Sequence, residues 1–169
     1  GWEVQRDWLV QTNGVVQGLF AAVRAYTEPG DRALILTPVY YPFYRAIKLN
    51  GRTVVESPLK LESGRYEVDF DDFEEKAKDC KLFILCSPHN PVGRVWTEAE
   101  LRRLGDICLK HNVLVISDEI HFDLIMPGHK HVSFPTLGEE YADHCAMFSA
   151  ASKTFSLAGL CVANAIVPN

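Results

Sequence analysis

Apolar residues along this chain follow two rhythms. Short unbroken runs alternate with stretches in which apolar positions fall three and four residues apart. The first pattern marks strands buried on both faces, and the second marks helices with one buried face. Runs at 33–36, 82–86, 113–116, 146–148 and 162–167 predict strands, as does 53–56, and a strand-like run follows Gly1-Trp2 closely. The spacing predicts a helix from Gly14 to about Tyr26, with Val16, Leu19, Phe20 and Val23 on one face. Glu28-Pro29-Gly30-Asp31 breaks it. Further helices are predicted over 41–49, from a cap at Asp69 through 78, and over 98–111. The last has a capping box, Thr97 with Glu100, and an apolar seam of Leu101, Leu104 and Cys108.

This alternation is the signature of an α/β domain with a largely parallel sheet. Helical crossovers keep successive strands parallel, so their carboxyl ends share one edge. Ligands of open α/β sheets bind at that edge. Here it carries Tyr40, Asn90, Asp118 and Lys153, far apart in sequence.

Composition narrows the function. The chain has 169 residues, which is enough for one core and predicts one domain. Its net charge of -5 and lack of a basic block exclude nucleic acid as an expected partner. No apolar run reaches about 18 residues, so no membrane span is expected, and no signal peptide is seen. The five cysteines include no C-x-x-C pair and read as buried thiols in a reducing cytosol, which gives a cytoplasmic expectation. His129 and His131 form an H-x-H pair without a further ligand at a typical spacing, so no metal is expected. The G-x-G-x-x-G, P-loop and G-x-S-x-G patterns are absent.

Each edge residue has an ordinary reading and a chemical one. Asp118 is either a cap or surface carboxylate, or a buried one that needs a cationic partner such as a protonated pyridine nitrogen. Asn90 lies in the rigid turn Pro88-His-Asn-Pro-Val-Gly93, where its amide can donate to a phenolate oxygen. Tyr40 is a core aromatic or a ring that stacks on a flat ligand. Gly14, Val15 and Val16 open a helix, and free N–H groups there suit a phosphate. Lys153 follows a buried strand and small Ala150 and Ala151, where desolvation would make its amine a better nucleophile.

In order and spacing these residues match a known pattern. The stretches are Thr37-Pro-Val-Tyr40, Ser87-Pro-His-Asn-Pro-Val-Gly-Arg-Val-Trp96, Ser117-Asp-Glu-Ile-His121 with Phe122-Asp123, and Ser152-Lys-Thr-Phe-Ser-Leu-Ala-Gly159. Through them the chain resembles pyridoxal-phosphate enzymes of the aspartate-aminotransferase superfamily, fold type I. Within that group it is most similar to cystathionine beta-lyase-type carbon–sulfur lyases. The resemblance implies a three-layer α/β/α sandwich, the large domain of such enzymes, over residues 1–169. A preceding segment and a later small domain would then lie outside the chain. It implies pyridoxal 5′-phosphate as cofactor, with Lys153 as the catalytic Schiff-base lysine and Asp118 on the pyridine nitrogen. Asn90 and His121 would sit at the phenolic oxygen and Tyr40 on the ring. The N–H groups of Val15 and Val16 would hold phosphate, helped by Ser149 or Ser152.

Three positions depart from many aminotransferases. His121 stands where they carry tyrosine, Cys161 where they carry a phosphate-binding arginine, and Ala150 where they carry serine. The first two favour the lyase branch, and the last two loosen the expected phosphate grip. The implied reaction on a small amino-acid substrate is proton removal from Cα by Lys153, then loss of a thiolate from Cβ, giving pyruvate and ammonia. The alternatives are an aminotransferase, and a cofactor-binding sensor domain of a transcription regulator. A homodimer is implied for the full-length protein.

Overall fold

A computed structural model describes residues 2–168; Gly1 and Asn169, the ends of the expected domain, lie outside the described residues. A seven-stranded sheet runs through the molecule in the order β1-β9-β8-β7-β6-β2-β3. Its strands are β1 (Leu9–Thr12), β2 (Arg32–Thr37), β3 (Thr53–Pro58), β6 (Leu82–Cys86), β7 (Leu114–Asp118), β8 (Cys145–Ser149) and β9 (Ala163–Ile166). The helices are α1 (Val15–Tyr26), α2 (Pro42–Lys48), α3 (Phe70–Ala77), α4 (Glu98–Lys110) and α5 (Glu139–Asp143). A separate hairpin pairs β4 (Lys60–Glu62) with β5 (Arg65–Glu67).

The period-two alternation of each strand divides the core into two layers. Ala33, Ile35, Leu82, Ile84 and Ile116 pack with Leu19 and Val23 of α1 and Phe43 and Ile47 of α2. On the other face Leu34, Leu36, Phe83, Leu85 and Val115 pack with Phe73 of α3 and Leu101 and Leu104 of α4. The sheet is therefore covered on both sides, which is why its central strands read as unbroken apolar runs.

The central strands β3, β2, β6, β7 and β8 are parallel. Strand β9 runs antiparallel to both β8 and β1. Between β8 and β9 the chain makes only turns and a short 3-10 helix at Ala158–Leu160. Without a crossover helix the chain returns beside the strand it left, in the opposite sense. Neither the β4–β5 hairpin nor α5 was expected. The hairpin strands are three residues each with mostly exposed side chains, and α5 has five residues, too few to show a period.

The buried side of α1 also differs from the expected face. Val15, Gly18, Leu19, Ala22 and Val23 are buried, while Val16 and Phe20 are half-buried. Gly18 explains the rotation. A Cβ there would lie 2.5 Å from the Phe148 ring, so glycine lets α1 sit down on β8. The capping box of α4 is present as expected, with Thr97 and Glu100 satisfying each other's backbone N–H groups.

Candidate active site

Strand register decides which side chains meet. Cys86 pairs with Asp118, and Asp118 pairs with Phe148, so β6, β7 and β8 end level with one another. Pairing of β2 with β6 runs from Ala33–Leu82 only to Ile35–Ile84. Beyond that point the two strands part, while β2 stays with β3 as far as Thr37–Pro58. The parting opens the sheet edge, and a cavity of about 220 Å³ lies there. Gly14, Val15, Val16, Tyr40, Asn90, Asp118, His121, Ser152 and Lys153 all line it.

Of the expected site residues, Ser149 alone is placed elsewhere. It is the last residue of β8, in register with Asn164, and does not line the cavity. Cys86, Ile120, Ala158, Cys161 and Val162 complete the lining. Of these, Cys86 was within reach of sequence reasoning, because it ends a strand on the same edge. Ala158 and Val162 gave no signal, since they come from the turns that bring β9 back.

Asp118 is buried, with only 4% of its surface exposed. Its Oδ1 accepts the Ile120 N–H at 3.2 Å, and among the described residues no cation forms an ion pair with it. Burial pushes its carboxyl up to about 7, against the pull of the Ile120 N–H and of the Lys153 charge. Lys153 itself is exposed, in a run of turns over 151–156. That corrects the expectation of a desolvated amine, because the turn carries Lys153 out past the end of the strand. Its turn is tied to the His121 loop, where the Thr154 hydroxyl donates to Asp123 Oδ2 at 2.7 Å. His121 is half-buried, and burial followed by the charge of Lys153 holds its pKa below the usual value. Tyr40 is half-buried, its hydroxyl pKa raised by burial and then by Tyr41 and Asp118.

Helix α1 closes one end of the cavity with its N-terminus. Gly14 precedes it at φ 94°, a backbone conformation that suits glycine, and has no side chain to cap the helix. The first N–H groups of a helix have no intrahelical partner and carry the positive end of the dipole. Val15 and Val16, the first two residues of the helix, line the cavity.

One residue missed from the sequence supports the site from below. Glu119, wholly buried, accepts from the Ser117 hydroxyl at 2.8 Å and the Phe134 N–H at 2.9 Å, and faces His131 Nε2 at 2.9 Å. These bonds close the loop that begins with His121. His131 thus belongs to a hydrogen-bonded contact with Glu119 across this loop, and the H-x-H spacing with His129 is incidental.

The arrangement has a distinct chemical character. It holds a buried carboxylate without a cation, a helix N-terminus open to an anion, a flat aromatic wall and a primary amine. Such a site suits a ligand with a cationic ring nitrogen, an anionic group and an electrophilic carbon. The volume is below the roughly 300–1,000 Å³ of whole small-molecule sites.

Comparison with known proteins agrees with this geometry. The sequence pattern of the family described as aminotransferase class I and II matches residues 2–169. Cystathionine beta-lyase PatB of Bacillus subtilis is 46% identical over 171 residues, an alignment of 100% of this chain and 44% of that protein. Among solved structures, cystalysin from Treponema denticola, which contains a pyridoxal 5′-phosphate cofactor, superimposes with a TM-score of 0.97. It is 48% identical over 99% of this chain and 43% of its own. The PLP-bound C-S lyase from Staphylococcus hominis gives a TM-score of 0.96 at 41% identity, over 100% of this chain and 44% of its own. The chain thus spans less than half the length of the relatives it matches.

Proposed function

From the premise that the chain belongs to the aminotransferase class I and II family, we propose that it is the cofactor-binding large domain of a pyridoxal-phosphate-dependent carbon–sulfur β-lyase. The full-length enzyme cleaves cystathionine or another cysteine S-conjugate to a thiol, pyruvate and ammonia. It is cytoplasmic and works as a homodimer. Residues 1–169 form one domain, and further segments of the enzyme complete the site.

The observation that carries the reading is Asp118. A buried carboxylate that no side chain neutralises is costly unless a ligand brings the charge. The protonated ring nitrogen of pyridoxal phosphate fits that need. The N-terminus of α1 fits its phosphate, with Ser152 at hand and Ser149 outside the cavity. Asn90 offers an amide to the phenolic oxygen, His121 lies on the same wall, and Tyr40 offers its ring face.

When bound, the cofactor supplies an electron sink for the carbanion left at the substrate's Cα. The chain's own residues do the rest. Lys153 would hold the cofactor through Nζ, and the same amine, once free, would serve as the base for the Cα proton. Asp118 would stand against the ring nitrogen and favour its protonated form. Burial, and then the charge of Lys153, holds the His121 imidazole below its usual pKa. Elimination is favoured over transamination because His121 and Cys161 stand where many aminotransferases carry tyrosine and arginine. The lyase names of the relatives support the same branch.

The test is incubation of the full-length protein with cystathionine in the absence of any keto acid. Pyruvate and a free thiol are expected. Strict dependence on a keto-acid acceptor would move the enzyme to the aminotransferase branch.

A further inference from the structure

The two loops that carry Tyr40 and Asn90 leave the sheet from neighbouring strands, β2 and β6, at the point where those strands have already parted. Ladder bonds therefore cannot set the distance between them. Among the described residues one side chain hydrogen-bonds across the gap. His89 Nε2 lies 2.9 Å from the carbonyl oxygen of Pro38, a residue 51 positions earlier in the chain. A carbonyl only accepts, so Nε2 carries the hydrogen and donates it.

The ring of His89 is fixed from behind. It is 1% exposed and stands edge-on to Trp96, with ring centroids 5.4 Å apart. Trp96 is itself held by its Nε1–H, which donates to the Cys86 carbonyl at 2.9 Å. The Arg94 guanidinium covers its other side, 4.5 Å from the ring centroid. His89's own backbone closes the loop, its N–H donating to Arg94 O at 2.8 Å and its carbonyl accepting from the Gly93 N–H at 2.8 Å. Next in sequence, Asn90 donates its backbone N–H to Cys86 Sγ at 3.3 Å and lines the cavity opposite Tyr40's loop. The other ring nitrogen, Nδ1, is buried without a partner among the described residues. Among the described residues the one ring hydrogen bond with full geometry is the one across the gap, and the Cys86 backbone lies close enough to act on the ring electrostatically.

We propose that His89 is a positioning residue of the cofactor site. Its Nε2–H ties the Asn90 loop to the Tyr40 loop and so sets how the Asn90 amide and the Tyr40 ring stand relative to each other. This rests on the reading of Asn90 and Tyr40 as cofactor contacts. His89 touches neither cofactor nor substrate and acts through Asn90.

Two substitutions with the same chemistry and different reach test this in the full-length protein. His89→Gln carries an amide N–H to about the place of Nε2, and His89→Asn stops short of it. Pyridoxal phosphate is the probe. The readouts are its dissociation constant and the pH midpoint of its visible absorbance band, which reports the hydrogen bond to the phenolic oxygen. His89→Asn should weaken binding about tenfold and move the midpoint, because a buried bond is left unmade, while His89→Gln should stay within about twofold. Equal behaviour of the two variants would overturn the proposal. In an Asn90→Ala background, His89→Asn should move the midpoint no further. A full additional shift there would overturn it as well. Asn90→Ala alone must move the midpoint; if it does not, the cofactor reading of Asn90 falls first and His89 with it.

Discussion

A carboxyl group held near 7 instead of 3.8 gives Asp118 a pH signature. In the folded, cofactor-free protein this group keeps its proton across a range in which the unfolded chain has released it. Stability therefore falls as pH rises from about 4 to about 7, and the loss levels off above. His89, pushed down to about 4 by burial, acts in the opposite sense and weakens the fold as pH falls below 6.5. Asp118→Asn should isolate the first effect. Without cofactor, the variant's unfolding temperature should hold up better than that of the parent between pH 4 and 7. A parallel pair of curves would refute the burial argument. With cofactor the order should reverse, because the ring nitrogen loses its counter-charge. Lys153→Ala gives the complementary outcome: borohydride should no longer fix the cofactor to the protein. The sequence showed that Lys153 and Asp118 follow strands that end on one edge of the sheet. It did not show that the turn carries Lys153 outward, because the course of a turn depends on packing that no local pattern encodes.

At the level of helices and strands, the α4 capping box was legible because both partners lie three residues apart. Thr97→Ala should cost about 1 kcal/mol of stability, readable as a lower unfolding temperature. The seat of α1 on β8 was not legible, because it depends on Gly18 and Phe148, which are far apart in sequence. Gly18→Ala would set a Cβ against the Phe148 ring and should cost about 1–3 kcal/mol. Pushing α1 off the sheet also moves the N–H groups of Val15 and Val16, so weaker cofactor binding should accompany the lost stability. Unchanged binding would separate the helix N-terminus from the phosphate. The direction of β9 escaped prediction for a similar reason. Its apolar run is the same whichever way the strand lies, and only the missing crossover helix decides.

In the molecule as a whole, the cavity has walls on the sheet side and little cover above. Phe155, Leu157, Leu160 and Val162, near Lys153, are all exposed, Phe155 and Leu160 at 67%. Exposed apolar side chains in that number within one short segment, one of them lining the cavity, ask for a partner surface. Residues 1–169 alone should therefore bind pyridoxal phosphate far more weakly than the full-length enzyme, by at least about tenfold, and turn over little substrate. Fluorescence titration of both proteins checks this. The fold class and four cavity-lining residues, Tyr40, Asn90, Asp118 and Lys153, were readable because they follow strand ends, where an unbroken apolar run stops abruptly. The exposed apolar turn beyond β8 was not readable, because which turn side chains stay uncovered depends on packing that no local pattern encodes.

The placement of the cysteines has a practical consequence. Cys80, Cys86, Cys108 and Cys145 are buried, and burial raises all four thiols, Cys80 to about 11. Cys161, expected to be buried like the rest, is exposed and lines the cavity beside Lys153. A maleimide added to the folded, cofactor-free protein should thus label one position per chain, and pyridoxal phosphate should slow that labelling. The domain carries its own occupancy gauge, readable by mass without any substrate.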